Sequence, residues 1–194
     1  RLVSWLAEAN PAAIGIGLVM PEAARLSPSR VPEFVQGMDP ALVRELSKLP
    51  SNDVVLAQAL WGRPVVLGVA GLERDPGRPP QPLRQAPLHT IGGDPRRFVP
   101  RYEATLRSVE EIERVARGRG LLNFEAERGV VRTMPLVAAA GGVVLPSFGA
   151  EILRVATGAP LLTVRVGAAG VEGEGIGGRL VPTEPDGSVR RRFS

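Results

Sequence analysis

Two kinds of apolar run alternate along the first half of this chain. Residues 12–20 (AAIGIGLVM) and 65–70 (VVLGVA) are continuously apolar, the pattern of strands covered on both faces in a parallel or mixed sheet. Around them the apolar positions recur at helical spacing. Leu2, Leu6 and Ala9 share a face beside Trp5, and Asn10-Pro11 stops that helix. Asp39-Pro40 supplies an N-cap and a first-turn proline for residues 41–49, with Leu42, Leu46 and Leu49 on one side. A second start at Asn52 or Asp53 leads residues 54–61, which carry Leu56, Ala59 and Leu60. Ser108 caps a further helix over residues 108–117, with Val109, Ile112, Val115 and Ala116 facing inward. Glu110, Glu111 and Glu113 suit the positive end of its dipole.

The second half is organised by residues 118–158. A helix is expected to end at Gly118–Gly120, followed by a short strand over 121–124 and a polar turn over 125–129. The β-rich runs 130–137 and 143–145 are joined by Gly141-Gly142, a pair suited to the positive φ of a tight hairpin. Pro146-Ser147 then opens an amphipathic helix that stops at Gly158. Further on, 161–166 reads as a strand, 167–178 as a glycine-rich loop, and 179–182 with 188–193 as a hairpin turned by Asp186-Gly187. Residues 21–40 read as loop and the proline-rich stretch 71–100 as a long excursion, a hairpin or a flap; it and 167–178 are the least tied-down parts. The fold class is therefore α/β: a mixed β-sheet flanked by helices, with a hairpin-rich C-terminal half. One sheet is expected to hold 12–20, 65–69 and 130–137, covered by the helices near 41–49, 108–117 and 147–156.

A chain of 194 residues with 44% hydrophobic content is one globular domain, and no apolar run in it approaches a bilayer span. The net charge of +4 rests on arginine, with Lys48 the one lysine, and aromatics make up 4%. Scattered arginines without stacking aromatics argue against a nucleic-acid partner. Arg190-Arg191-Arg192 reads instead as a solvated or membrane-proximal tail. Cysteine is absent and histidine occurs once, which excludes disulfides and argues against a Cys- or His-built zinc site. No metal and no cofactor is expected.

Candidate chemistry is sparse. Gly173, Gly175 and Gly178 match G-x-G-x-x-G, yet strand-like residues follow where a dinucleotide site needs a helix N-terminus. Ser147 lacks the glycine-flanked elbow of a hydrolase nucleophile and reads as an N-cap, and His89, in a proline-rich loop, is the one available base. Glu125 and Glu127, beside Arg128, read as a charged turn or as the carboxylates of a small α/β hydrolase-like enzyme. Asn123 either bonds local backbone or points into a ligand cleft. Arg132, in an otherwise apolar strand, is either paired with Glu125 or Glu127, solvated, or aimed at an anion.

A resemblance adds to this. Leu122-Asn123-Phe124, Glu127-Arg128-Gly129-Val130-Val131-Arg132 and Met134-Pro135-Leu136 are similar to the hallmark segment of the second class of CHASE domains, extracellular sensory domains associated with cyclases and histidine kinases. Pro146 and Ser147 opening a helix with Glu151 and Arg154 continue it. So do Met20-Pro21-Glu22, Leu26-Ser27-Pro28 and Pro182-Thr183-Glu184-Pro185-Asp186-Gly187. The family commonly carries acids where this chain has Gly17 and Ala24. The resemblance implies a non-catalytic extracytoplasmic sensor domain over residues 1–194 of a bacterial membrane receptor, homodimeric, with a cyclase or kinase output. It also implies flanking transmembrane segments and an upstream strand outside the chain, so that 12–20 lies at a sheet edge. The ligand is an undefined small molecule or protein, and Asn123, Glu125 and Arg132 are the candidate contacts.

Overall fold

The computed structural model describes residues 2–77, 86–124 and 131–190. Helix α1 (Leu2–Glu8) ends at Asn10, whose φ of 47° is the left-handed turn that asparagine tolerates at a helix C-terminus. Strand β1 (Ile14–Ile16) is shorter than the apolar run suggested, because residues 17–20 leave the sheet as loop. After a 3-10 turn at Pro28–Glu33 come α2 (Pro40–Lys48), capped by Asp39 as expected, and α3 (Asn52–Leu60). The cap of α3 is Ser51, whose Oγ accepts from Val54 N at 3.2 Å. Asp53 instead accepts from Ala24 N at 2.8 Å and holds the preceding loop.

Strand β2 (Val65–Leu72) is buried along almost its whole length and is the axis of the first sheet. The proline-rich stretch beyond it contributes β3 (Leu88–Ile91) and a 3-10 turn at Pro95–Arg97, and β4 (Arg101–Tyr102) and β5 (Ala104–Leu106) follow. The next helix, α4 (Glu110–Glu113), is a single turn. Ser108 does not cap it: the hydroxyl accepts from Met20 N at 3.2 Å and ties down the segment after β1. Strand β6 (Gly118–Leu121) occupies the glycines read as a helix end.

In the first sheet β2 pairs in parallel with β1 and β6 and antiparallel with β5. Among the described residues β1 has β2 as its one neighbour, so it is an edge strand. One face packs Ile14, Val65 and Leu67 against Leu60 and Ile112, all buried. At roughly 1.5–3 kcal/mol per fully buried side chain, this cluster holds α3 and α4 to the sheet. Helix α2 has no buried residue and packs on the 3-10 turn, not on the sheet. Its Leu42 and Leu49 stay about half exposed, which corrects its expected covering role.

The run 130–137 was expected as one strand of that sheet. Its described part divides at Leu136 into β7 (Thr133–Pro135) and β8 (Val137–Ala140). Proline 135 has no N–H to continue a ladder, and Leu136 N turns aside to Gly187 O at 2.9 Å. Strand β8 pairs with β4 and, through Gly141-Gly142, with β9 (Val143–Pro146). The two glycines have φ of 55° and 82°, the expected hairpin turn. Buried on both faces, β8 sends Ala138 and Ala140 towards Val69 and Leu121 of the first sheet, and Val137 and Ala139 towards a second.

Three of the four strands of that second sheet follow α5 (Phe148–Ala156). It is ordered β12 (Arg179–Pro182), β11 (Gly170–Ile176), β10 (Leu162–Gly167), β3, and only the β3–β10 pair is parallel. The glycine-rich loop of the sequence reading is therefore a central strand, and Gly177-Gly178 turn it into β12. The final strand, β13 (Ser188–Arg190), pairs with β7 and not with β12. Helices plus mixed sheets make the α/β class correct, though the β content lies in several small sheets.

Candidate functional site

The junction of the two sheets is built around α5. Ser147 Oγ accepts from Ala150 N at 3.3 Å, the capping role its sequence context predicted. The helix lies unusually close to the first sheet because glycines face it. A Cβ on Gly120 would sit 2.5 Å from Phe148 Cα, and one on Gly15 would sit 2.6 Å from Ile152 Cδ1. Gly118 likewise leaves room for the Glu151 carboxylate.

Glu151, one turn into α5, is fully buried and would be prohibitively charged alone. Arg154, three residues on, neutralises it with a two-pronged contact: Nε to Oε2 at 2.8 Å and Nη2 to Oε1 at 2.7 Å. The same guanidinium donates to Ala159 O at 2.9 Å and Arg117 O at 3.3 Å. It thus ties α5 to the entry of β6 in one sheet and of β10 in the other. A second buried carboxylate, Glu174 of β11, has no hydrogen-bond partner on either oxygen among the described residues. Burial, and secondarily the charge of Glu151, pushes its carboxyl up to about 8. A second buried pair, Glu113 with Arg119, ties α4 to β6. Sequence reasoning named Glu151 and Arg154 only as marks of a resemblance and missed Glu174 altogether. No local signal marked it: in G-V-E-G-E-G-I both acids alternate with Val171, Gly173 and Gly175, the pattern of a solvated face.

Of the three residues singled out as ligand contacts, Asn123 is engaged with backbone, though not local backbone. Its Oδ1 accepts from Gly71 N at 2.6 Å and its Nδ2 donates to Gly71 O at 2.9 Å. The side-chain amide thereby continues the β2–β6 ladder past the last backbone pair. Arg132 is exposed and precedes β7 instead of lying within a strand. Met134 on the same side is 43% exposed, so that side faces solvent. Among the described residues no carboxylate pairs with Arg132. Glu125, and with it Glu127 and Arg128, lies outside the described residues.

On the outer face of the second sheet an open groove of about 640 Å³ is lined by Ile91, Thr163, Arg165, Gly175, Arg179 and Leu180, among others. Cross-strand register sets Thr163, Gly175 and Leu180 side by side, and glycine leaves the floor bare. Arg165 and Arg179 flank it, and neither pairs with a carboxylate among the described residues. Among the described residues no acidic side chain lines the groove. The arrangement can take a small anion against two guanidinium groups. His89 stands exposed on β3, not in a loop, and Gly173 and Gly175 lie within β11, so no helix N-terminus follows them.

Among the described residues no helix is long and apolar enough to cross a membrane. No curated protein matches this chain, and no solved structure does. The CHASE2 domain, in contrast, matches residues 1–194, the whole chain. The chain belongs to the CHASE2 domain family, the extracellular, non-catalytic sensory domains of signalling receptors.

Proposed function

We propose that residues 1–194 form a single extracytoplasmic input domain of a membrane-bound bacterial receptor whose cytoplasmic output is a nucleotide cyclase or a histidine kinase. The observation that carries this reading is the whole-chain match to CHASE2. Membrane segments outside the chain anchor the domain, and the receptor works as a homodimer. The exposed apolar face of α1, with Leu2, Trp5 and Leu6, supports a contact between copies. The groove beside Arg165 and Arg179 is the surface offered to a small anionic ligand. Such a ligand controls output only through its different affinity for two arrangements of the domain.

The test uses the full-length receptor in vesicles, with inorganic phosphate and small organic acids as probes and the cyclase or kinase rate as readout. At least one probe is expected to change the rate. The Arg165→Ala/Arg179→Ala double variant is expected to abolish that change without lowering the melting temperature. A response that survives the double variant contradicts the groove. Output insensitive to deletion of the whole domain contradicts the sensory reading.

A further inference from the structure

Glu174 is a fully buried acid with no hydrogen-bond partner among the described residues, where the other buried acids each have a partner for at least one oxygen, a guanidinium or, for Asp53, a backbone amide. Its cross-strand neighbours are Val164 of β10 and Val181 of β12, and Leu162, Ile176 and Ala150 form the adjoining apolar cluster. The charge acting on it comes from α5, the Glu151 carboxylate, which is itself bound by Arg154. An unpaired carboxylate in such surroundings is strongly disfavoured in its charged form, and a second anion next to Glu151 compounds this. A purely structural role is better served by glutamine or leucine at this position, since neither can ionise there.

What ionisation would disturb is also specific. Arg154, the cation bound to Glu151, is already committed to that carboxylate and to the carbonyls of Ala159 and Arg117. A charged Glu174 competes for that guanidinium. Satisfying it means releasing a carbonyl at the entry of β6 or of β10, or separating β11 from α5. Either movement changes how the two sheets meet.

We propose that Glu174 is a proton-binding site of this domain, neutral while β11 packs on α5, whose ionisation redirects Arg154 and loosens the junction between the two sheets. The ligand is the proton, and the signal is alkalinity outside the membrane. This rests on the sensory reading for its biological use but not for its chemistry.

The sign follows from linkage. With a folded-state value raised from 4.5 to about 8, the native chain keeps a proton that the unfolded chain has released throughout that interval. The stabilisation is complete below the unfolded value, falls as pH rises, and is lost once pH passes the folded value. Each pH unit within the interval lowers the folding equilibrium constant by about tenfold from this group alone.

The experiment is a pH titration of the chain followed by NMR, reading the carboxyl carbon of Glu174 and the Arg154 Nε–H signal together. Both are expected to move with one midpoint near 8. In Glu174→Gln the Arg154 signal is expected to stay fixed over the same range, and urea denaturation is expected to lose the decline in stability. A Glu174 midpoint in the ordinary carboxylate range overturns the proposal. So does an Arg154 signal that is indifferent to the Glu174 titration, which would leave the acid a bystander. Neither outcome bears on the sensory assignment, which stands or falls with receptor output on deletion of the domain.

Discussion

Arg154→Met removes the guanidinium that makes four hydrogen bonds at the junction of the two sheets. The methionine stem fills much of the same space, so the change isolates the charge and its donors. Glu151 is then fully buried and uncompensated, a situation that costs about 3–5 kcal/mol for a buried pair broken on one side. The carbonyls of Ala159 and Arg117 also lose a donor each, a related penalty of about 1–3 kcal/mol that overlaps the first. A loss of about 4 kcal/mol is expected, which in a domain of 194 residues lowers Tm by about 8–16 °C, at about 2–4 °C per kcal/mol. Urea denaturation followed by far-UV circular dichroism measures it. The double variant Glu151→Leu/Arg154→Met removes both charges and is expected to return to within about 1–2 kcal/mol of the original chain. A single-variant loss below about 1 kcal/mol would mean that the pair is solvated. A double variant no better than the single one would mean that the loss was packing and not charge.

Two glycine substitutions should have opposite signs. Gly120→Ala places a Cβ 2.5 Å from Phe148 Cα and 2.7 Å from Phe148 N and Ser147 O, backbone that cannot swing away, and is expected to destabilise by about 1–3 kcal/mol. Gly149→Ala, inside α5 with no atom near its added methyl, is expected to stabilise by about 0.5–1 kcal/mol, read from the same urea curves. Asn123→Ala removes both bonds to Gly71 and is expected to cost about 1–3 kcal/mol in those curves. An unchanged stability with a lost receptor response would move Asn123 to a ligand site. Arg132→Ala, at an exposed position, is expected to stay within about 0.5 kcal/mol of the original, and its effect on receptor output decides whether it contacts a ligand.

The parts of the fold legible in the sequence are those where local chemistry and tertiary structure agree. Residues 65–70 of β2, the Gly141-Gly142 turn, the Asp39 cap and the Ser147 cap all follow from pattern and turn chemistry. The misreadings are mostly at glycines. Gly118 and Gly120 punctuate a sequence as loop, yet here they sit within a strand because α5 needs the space a Cβ would take. Gly173 and Gly175 likewise belong to β11, whose other face is buried. Partner choice was hidden as well, since β13 pairs with β7 across 52 intervening residues and no local signal encodes that. The charged junction was half visible. Glu151 and Arg154 carry the i, i+3 spacing of a helical pair, but their burial and the approach of Glu174 arise only when β11 folds against α5.

The side of the membrane on which this domain works decides whether it can be an input at all. The chain contains no cysteine, so Ser47→Cys on the exposed surface of α2 supplies a unique handle in a full-length receptor whose remaining cysteines have been replaced. Intact cells are treated with a membrane-impermeant maleimide, and labelling at residue 47 is measured before and after lysis. An extracytoplasmic sensor is labelled fully in intact cells. Labelling that begins only after lysis would place the domain on the cytoplasmic side and contradict the sensory account.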